Sequence, residues 1–116
     1  MRLPITKPFI TEREKELILK PLETGWLVQG PYVQQLEQKM KEFTGAQYAI
    51  ATSSCTTAQF IASRCIDLKP GDEVIVPSFT FIATANSVLF VRGKPVFADI
   101  EEKTFGLDPE DVKEKI

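Results

Sequence analysis

No histidine occurs anywhere in this sequence, and its two cysteines, Cys55 and Cys65, stand outside any C-x-x-C pair. The usual zinc constellations therefore cannot be assembled, and no metal site is expected. The same absence removes every Ser-His or Cys-His nucleophile arrangement that this chain would have to supply alone. Long hydrophobic runs are missing too. Nothing approaches the roughly 18 apolar residues that cross a bilayer, and Met1-Arg2-Leu3-Pro4 leads into proline and charge rather than an apolar signal segment. No membrane partner is expected, and the chain reads as cytoplasmic. Nor does one sign of charge dominate. Lys and Arg number 14 against 16 Asp and Glu, for a net charge of -2, with no basic stripe to neutralise phosphodiesters. Nucleic acid is not an expected partner.

What remains, 43% hydrophobic and 26% charged residues, is the profile of a globular chain. A chain of this size buries roughly two-thirds of its unfolded surface, enough for one modest core but not for two domains. Thr11-Glu12-Arg13-Glu14 has the spacing of a capping box and predicts a helix start. Leu17, Ile18 and Leu22 give that helix an apolar face, Pro21 is expected to end or kink it, and Gly25 marks a turn. Pro31 suits a first helical position, and Val33, Leu36, Met40 and Phe43 recur at helical spacing until Gly45. Residues 48–52 are small and β-branched enough for a short buried strand, and Ala58, Ile61, Ala62 and Cys65 then resume helical spacing.

Lys69-Pro70-Gly71-Asp72 predicts a turn into a strand over Val74-Ile75-Val76, stopped by Pro77-Ser78. Thr80 to Val91 is apolar on nearly every face except a thin stripe of Thr80, Thr84 and Ser87, as expected of a helix packed on both sides. Gly93-Lys94 turns the chain into Pro95-Val96-Phe97-Ala98-Asp99, and Asp108-Pro109 caps a last short helix. Three short strands alternating with helices imply an α/β class: a largely parallel sheet in a three-layer αβα arrangement. A three-stranded sheet with a clipped final helix looks unfinished, because buried strands need neighbours. The expectation is the front part of a larger protein.

Chemistry concentrates in Ile50-Ala51-Thr52-Ser53-Ser54-Cys55-Thr56-Thr57-Ala58, where a strand passes through small hydroxyl residues into a helix. A helix start offers unpaired amides and a positive dipole end, and small side chains let an anion approach them. Neither G-x-x-x-x-G-K-[ST] nor G-x-G-x-x-G is present. The segment is either a phosphate cradle or a simple Ser/Thr helix cap. Ser78-Phe79-Thr80-Phe81 lies beyond the second strand, at the edge where open α/β sheets place ligands. There an aromatic could stack on a flat heterocycle, or both Phe residues could be core.

Taken together, Gly25-Trp26-Leu27-Val28-Gln29-Gly30-Pro31, the Ala49 to Ala58 run, Pro70-Gly71-Asp72-Glu73-Val74-Ile75-Val76-Pro77-Ser78-Phe79-Thr80-Phe81, and Lys94-Pro95-Val96-Phe97-Ala98-Asp99-Ile100 resemble the DegT/DnrJ/EryC1/StrS sugar aminotransferases. Their order and spacing match over nearly the whole chain. The resemblance implies a fold-type-I enzyme dependent on pyridoxal phosphate (PLP), with residues 1–116 forming the N-terminal part of its large domain. Within it, 1–30 would be the first helix and substrate-entrance loop, and 31–116 helices and strands of the αβα layer. It implies transfer of an amino group from an amino acid to a nucleotide-linked keto sugar by a homodimer. The alternatives are a sugar dehydratase on the same scaffold and a non-catalytic truncated remnant.

Residue by residue, the resemblance gives Cys55 a backbone amide, and Thr56 an amide and a hydroxyl, on the cofactor phosphate. It gives Phe81 a stacking role on the pyridine ring. Gly25 and Trp26 would line the substrate entrance, although Trp26 could equally be a lid on the core. Cys55 replaces the smaller residue usual in the family, which leaves its amide in place and does not make its thiol a nucleophile. No catalytic residue is expected here. The chemistry needs a lysine that condenses with the cofactor and a carboxylate on the pyridine nitrogen, and Lys39, Lys41, Lys69 and Lys94 fall on polar faces or in turns. Asp99 is not the matching carboxylate; with Glu101 and Glu102 it reads as part of a solvated turn. Alone, the chain is expected to be inactive.

Overall fold

The computed structural model describes residues 6–116, which form two compact units, one ending at Ala51 and the other comprising Thr52–Ile116. In the first, helix α1 spans Glu12–Thr24 and helix α2 Pro31–Thr44. Thr11 precedes α1 in extended backbone, and Glu14 Oε2 accepts its amide proton at 2.6 Å and its hydroxyl proton as well. Those bonds hold the Glu14 carboxyl below the usual carboxylate range. Pro21 does not end the helix as expected. The bond that proline deletes and its clash with the preceding turn are local costs, and this helix runs on until a left-handed residue turns the chain. That residue is Gly25, with φ +67° and its N–H on the Leu22 carbonyl at 3.2 Å.

Pro31 opens α2, and Gly45, at φ +71°, closes it by donating to the Lys41 carbonyl at 2.9 Å. The strand expected over residues 48–52 is not formed. A strand exists only through a ladder partner, and the Ala51 amide donates instead to the Glu37 carboxylate of α2 at 2.9 Å.

The second unit runs through helix α3 (Cys55–Cys65), strand β1 (Glu73–Pro77), helix α4 (Ala83–Phe90), strand β2 (Lys94–Ala98) and helix α5 (Pro109–Glu114). Among the described residues, two strands therefore stand where three were expected. They pair in parallel from Glu73 opposite Lys94 to Pro77 opposite Ala98, with α4 on the connection between them. An ion pair of 2.7 Å joins Lys94 and Glu73 at the starting edge and raises the lysine pKa. The α/β class stands, as a parallel pair with α4 packed against it and α3 packed on α4.

The core of this unit is built from small and β-branched residues: Val76, Ala83, Ala85, Val88, Val91 and Ala98. Ser87 is buried among them because its hydroxyl donates to the Thr84 carbonyl at 2.8 Å. Phe60 of α3 meets Phe90 of α4 edge to face at 6.2 Å. The α4 helix begins at Ala83 rather than Thr80; Thr80–Ile82 belong to the preceding loop, where the Thr80 and Thr84 hydroxyls meet at 3.0 Å. At the far end, Asp108 Oδ1 caps α5 by accepting the Glu110 amide at 2.9 Å. No described helix is long and apolar enough to cross a membrane.

Candidate functional site

An α-helix leaves its first amides without intrahelical partners, and at α3 they are divided unequally. Ser54, in extended backbone, caps the helix: its Oγ accepts the Thr57 amide at 3.1 Å and lies 3.0 Å from the Thr57 hydroxyl. The Ala58 amide begins the helical ladder on the Ser54 carbonyl at 3.0 Å. Between these two bonds stand Cys55 and Thr56, whose amides meet no acceptor among the described residues. The Thr56 hydroxyl is likewise without a partner there. Thr52 and Ser53 complete a rim of hydroxyls, with Thr52 Oγ1 donating to the Ser54 carbonyl at 2.9 Å. Cys55 is exposed and Thr56 half-buried. The arrangement offers two free amides, one hydroxyl and the positive end of an 11-residue helix to an anion. Ser54 is the cap, and the amides of Cys55 and Thr56 beside it remain open.

Phe81 belongs to the same unit, in the loop joining β1 to α4. It is 77% exposed and Phe79 is 69% exposed, so neither is buried in the core. The Phe81 carbonyl accepts the Thr84 amide at 3.0 Å, which fixes its backbone to the start of α4. Phe79 lies against Phe105 at 6.1 Å, with the rings tilted by 45°. The loop therefore presents a bare aromatic face at the C-terminal edge of a parallel sheet.

Gly25 and Trp26 lie in the other unit. The Trp26 indole donates from Nε1 to the Gln29 carbonyl at 2.9 Å. Its ring lies over Gly30, where a Cβ would fall 2.5 Å from Nε1 and 2.7 Å from Cδ1. A Cβ at Gly30 would force the indole to shift from this place. Trp26, with Ile18, Leu22, Leu27 and Tyr32, walls an open apolar cavity of about 570 Å³.

Of the ten lysines in the sequence, nine are exposed and Lys41 is half-buried. None of them is buried among these residues. Sequence reasoning missed a connection at the sheet edge. Asp99, read as part of a solvated turn, accepts a bond from Ser78 Oγ at 3.3 Å. Its own amide donates to Asp111 of α5 at 2.6 Å. That bond holds the Asp111 carboxyl below its usual range, and Lys115 at 3.4 Å adds to the effect. The one available signal was register, since Ser78 and Asp99 each follow the last residue of a strand.

Residues 8–116 match the profile of the DegT/DnrJ/EryC1/StrS aminotransferase family. The chain is 45% identical to the spore coat polysaccharide biosynthesis protein SpsC of Bacillus subtilis over 92% of its own length and 28% of that protein's. It is 42% identical to the 3-oxo-glucose-6-phosphate:glutamate aminotransferase of the same organism, over 98% of its length and 26% of the relative's. Among solved structures, NtdA from Bacillus subtilis with bound cofactor PMP superposes with a TM-score of 0.82 at 40% identity, covering 99% of this chain and 29% of that one. The Escherichia coli GDP-4-keto-6-deoxy-D-mannose-3-dehydratase with bound hydrated PLP superposes with a TM-score of 0.84 at 27% identity, covering 99% and 31%. The chain thus spans little more than a quarter of the curated relatives it matches.

Proposed function

Because this chain belongs to the DegT/DnrJ/EryC1/StrS aminotransferase family, we propose that it forms the N-terminal part of the large domain of a PLP-dependent sugar aminotransferase. The whole protein would move an amino group from an amino acid to a nucleotide-linked keto sugar. The observation that carries this reading is the division of amides at α3, where Ser54 takes one donor and leaves those of Cys55 and Thr56 open. A phosphate monoester fits such a cradle, since its oxygens accept several donors at once. PLP supplies, when bound, an aldehyde for the amino group and a ring that withdraws electrons from the reacting carbon.

The chain's own part is binding and orientation. Cys55 would hold the phosphate through its N–H, and Thr56 through its N–H and hydroxyl. Phe81 would cover one face of the ring. Gly25 and Trp26 would line the substrate entrance, with Gly30 keeping the indole in place. The lysine and the pyridine-nitrogen carboxylate are assigned to parts of the protein outside residues 1–116, so the isolated chain is proposed to be inactive. A homodimer working in the cytoplasm belongs to the same reading.

Incubating the full-length protein with PLP, ¹⁵N-glutamate and a panel of keto sugars tests it. A nucleotide-linked amino sugar carrying ¹⁵N is the expected product. The dehydratase among the structural relatives supports a second reading, which would give a deoxygenated sugar with no nitrogen retained. Labelling of a sugar phosphate alone would move the substrate toward that of the glutamate aminotransferase relative.

A further inference from the structure

We propose that Asp99 is a positioning residue that fixes the loop carrying Phe81, acting through the Ser78 hydroxyl. The register that sets Pro77 opposite Ala98 brings the residues that follow them, Ser78 and Asp99, to the same edge of the sheet. The Ser78 amide continues the ladder by donating to the Ala98 carbonyl at 2.8 Å, and its hydroxyl reaches Asp99 Oδ1 at 3.3 Å. Asp99 is exposed, but three further bonds tether it. Its amide donates to Asp111 at 2.6 Å, its carbonyl accepts the Asp108 amide at 2.9 Å, and Oδ1 also accepts the Ile100 amide at 2.8 Å. A carboxylate with both flanking backbone groups anchored to the base of α5 has little freedom left.

The loop it reaches is gripped at three points. Ser78 is tied to Asp99 at the start, Phe79 meets Phe105 in the turn after β2, and the Phe81 carbonyl is bonded to the Thr84 amide at the end. Ser78 and Asp99 are both exposed, as a solvated turn would have them, and their bond also links the two strand ends. An aromatic that must present one face to a flat ring needs such a link, because stacking depends on orientation as well as contact.

The proposal rests on the stacking role of Phe81, and the experiment separates the two. In the full-length protein, Ser78→Ala, Ser78→Thr, Asp99→Ala and Phe81→Ala are compared by the visible circular dichroism of bound PLP, by the PLP dissociation constant and by melting of the cofactor-free form. We expect Ser78→Ala to lower the dichroism per bound cofactor and weaken binding about threefold to tenfold, the range of one hydrogen bond. Ser78→Thr should restore both, and the Ser78→Ala/Asp99→Ala pair should be no worse than the worse single variant. If Phe81→Ala changes both readouts while Ser78→Ala matches the parent, or alters only melting, the positioning role is overturned and stacking survives. If Phe81→Ala itself leaves both readouts unchanged, stacking falls and the proposal falls with it.

Discussion

Replacing Thr56 by alanine removes one hydroxyl from the second residue of α3 and leaves both free amides in place. In the cofactor-free protein that hydroxyl has no partner among the described residues, so its loss breaks no bond there. Alanine also has the higher helix propensity, by up to about 0.7 kcal/mol. The free protein should therefore melt at or slightly above the parent temperature. With PLP bound, the hydroxyl would donate to a phosphate, and a charge-assisted bond of that kind contributes about 1 to 3 kcal/mol. The dissociation constant should rise about 5- to 150-fold. Ser54→Ala supplies the contrast. It removes the cap on the Thr57 amide at 3.1 Å and should cost about 1 kcal/mol of stability before any cofactor is added. Equilibrium dialysis of full-length variants against PLP, paired with melting curves of the cofactor-free forms, reads both quantities. A Thr56→Ala variant that binds PLP like the parent would refute the cradle as built here.

Three further outcomes follow from the geometry. A Cβ at Gly93 would fall 2.8 Å from Val88 Cγ1 in the packed core, so Gly93→Ala should destabilise the protein by about 1–3 kcal/mol; an unchanged melting temperature contradicts this packing. The Asp111 carboxyl titrates below its usual range when folded, so its contribution is present above the unfolded pKa and is lost as pH falls through the lower folded one. Asp111→Asn should then lower stability at neutral pH and flatten the acid limb of the stability curve, whereas two parallel curves would show that the Asp99 bond contributes nothing. Finally, the 116-residue chain treated with PLP and borohydride should be labelled weakly at many of its lysines, as mass spectrometry would map. A single stoichiometric site accompanied by turnover would oppose the assignment of the reactive lysine elsewhere.

Features decided within a few residues were legible in the sequence. Thr11 with Glu14, Gly25, Gly45 and Asp108 with Pro109 all act where their spacing put them. A cap is a contact between near neighbours in the chain, and its rules are local. Residues 48–52 failed for the opposite reason, because strand composition does not supply the neighbour that makes a strand. Pro21 does not stop α1, which ends at Gly25, and α4 starts three residues later than its pattern predicts because Thr80–Ile82 continue that apolar pattern. The free amides of Cys55 and Thr56 were legible because every helix start has them. That the cap leaves these two open required coordinates. The exposure of Phe81 could not be read from composition, which favours the core for an aromatic, and only the family resemblance pointed outward.

On the proposed reading, the cradle at α3 would bind a phosphate without formal positive charge of its own. No lysine or arginine occurs between Lys41 and Arg64 in the sequence, and Arg64 sits in the last turn of the helix. The helix end supplies roughly half an elementary charge, far less than a phosphate dianion carries. The two amides and the Thr56 hydroxyl therefore give direction and number of bonds rather than neutralisation. Small side chains are required so that backbone donors can be reached, and this explains why a thiol at Cys55 is tolerated where a long side chain would stand in the way. The balance of charge would then come from groups outside the first turn of α3. The same division of labour is proposed at the sheet edge, where the Ser78 hydroxyl and the Asp99 carboxylate would hold an aromatic rather than react. On that reading this chain would supply orientation in both places, and the groups that make or break bonds would lie elsewhere in the protein.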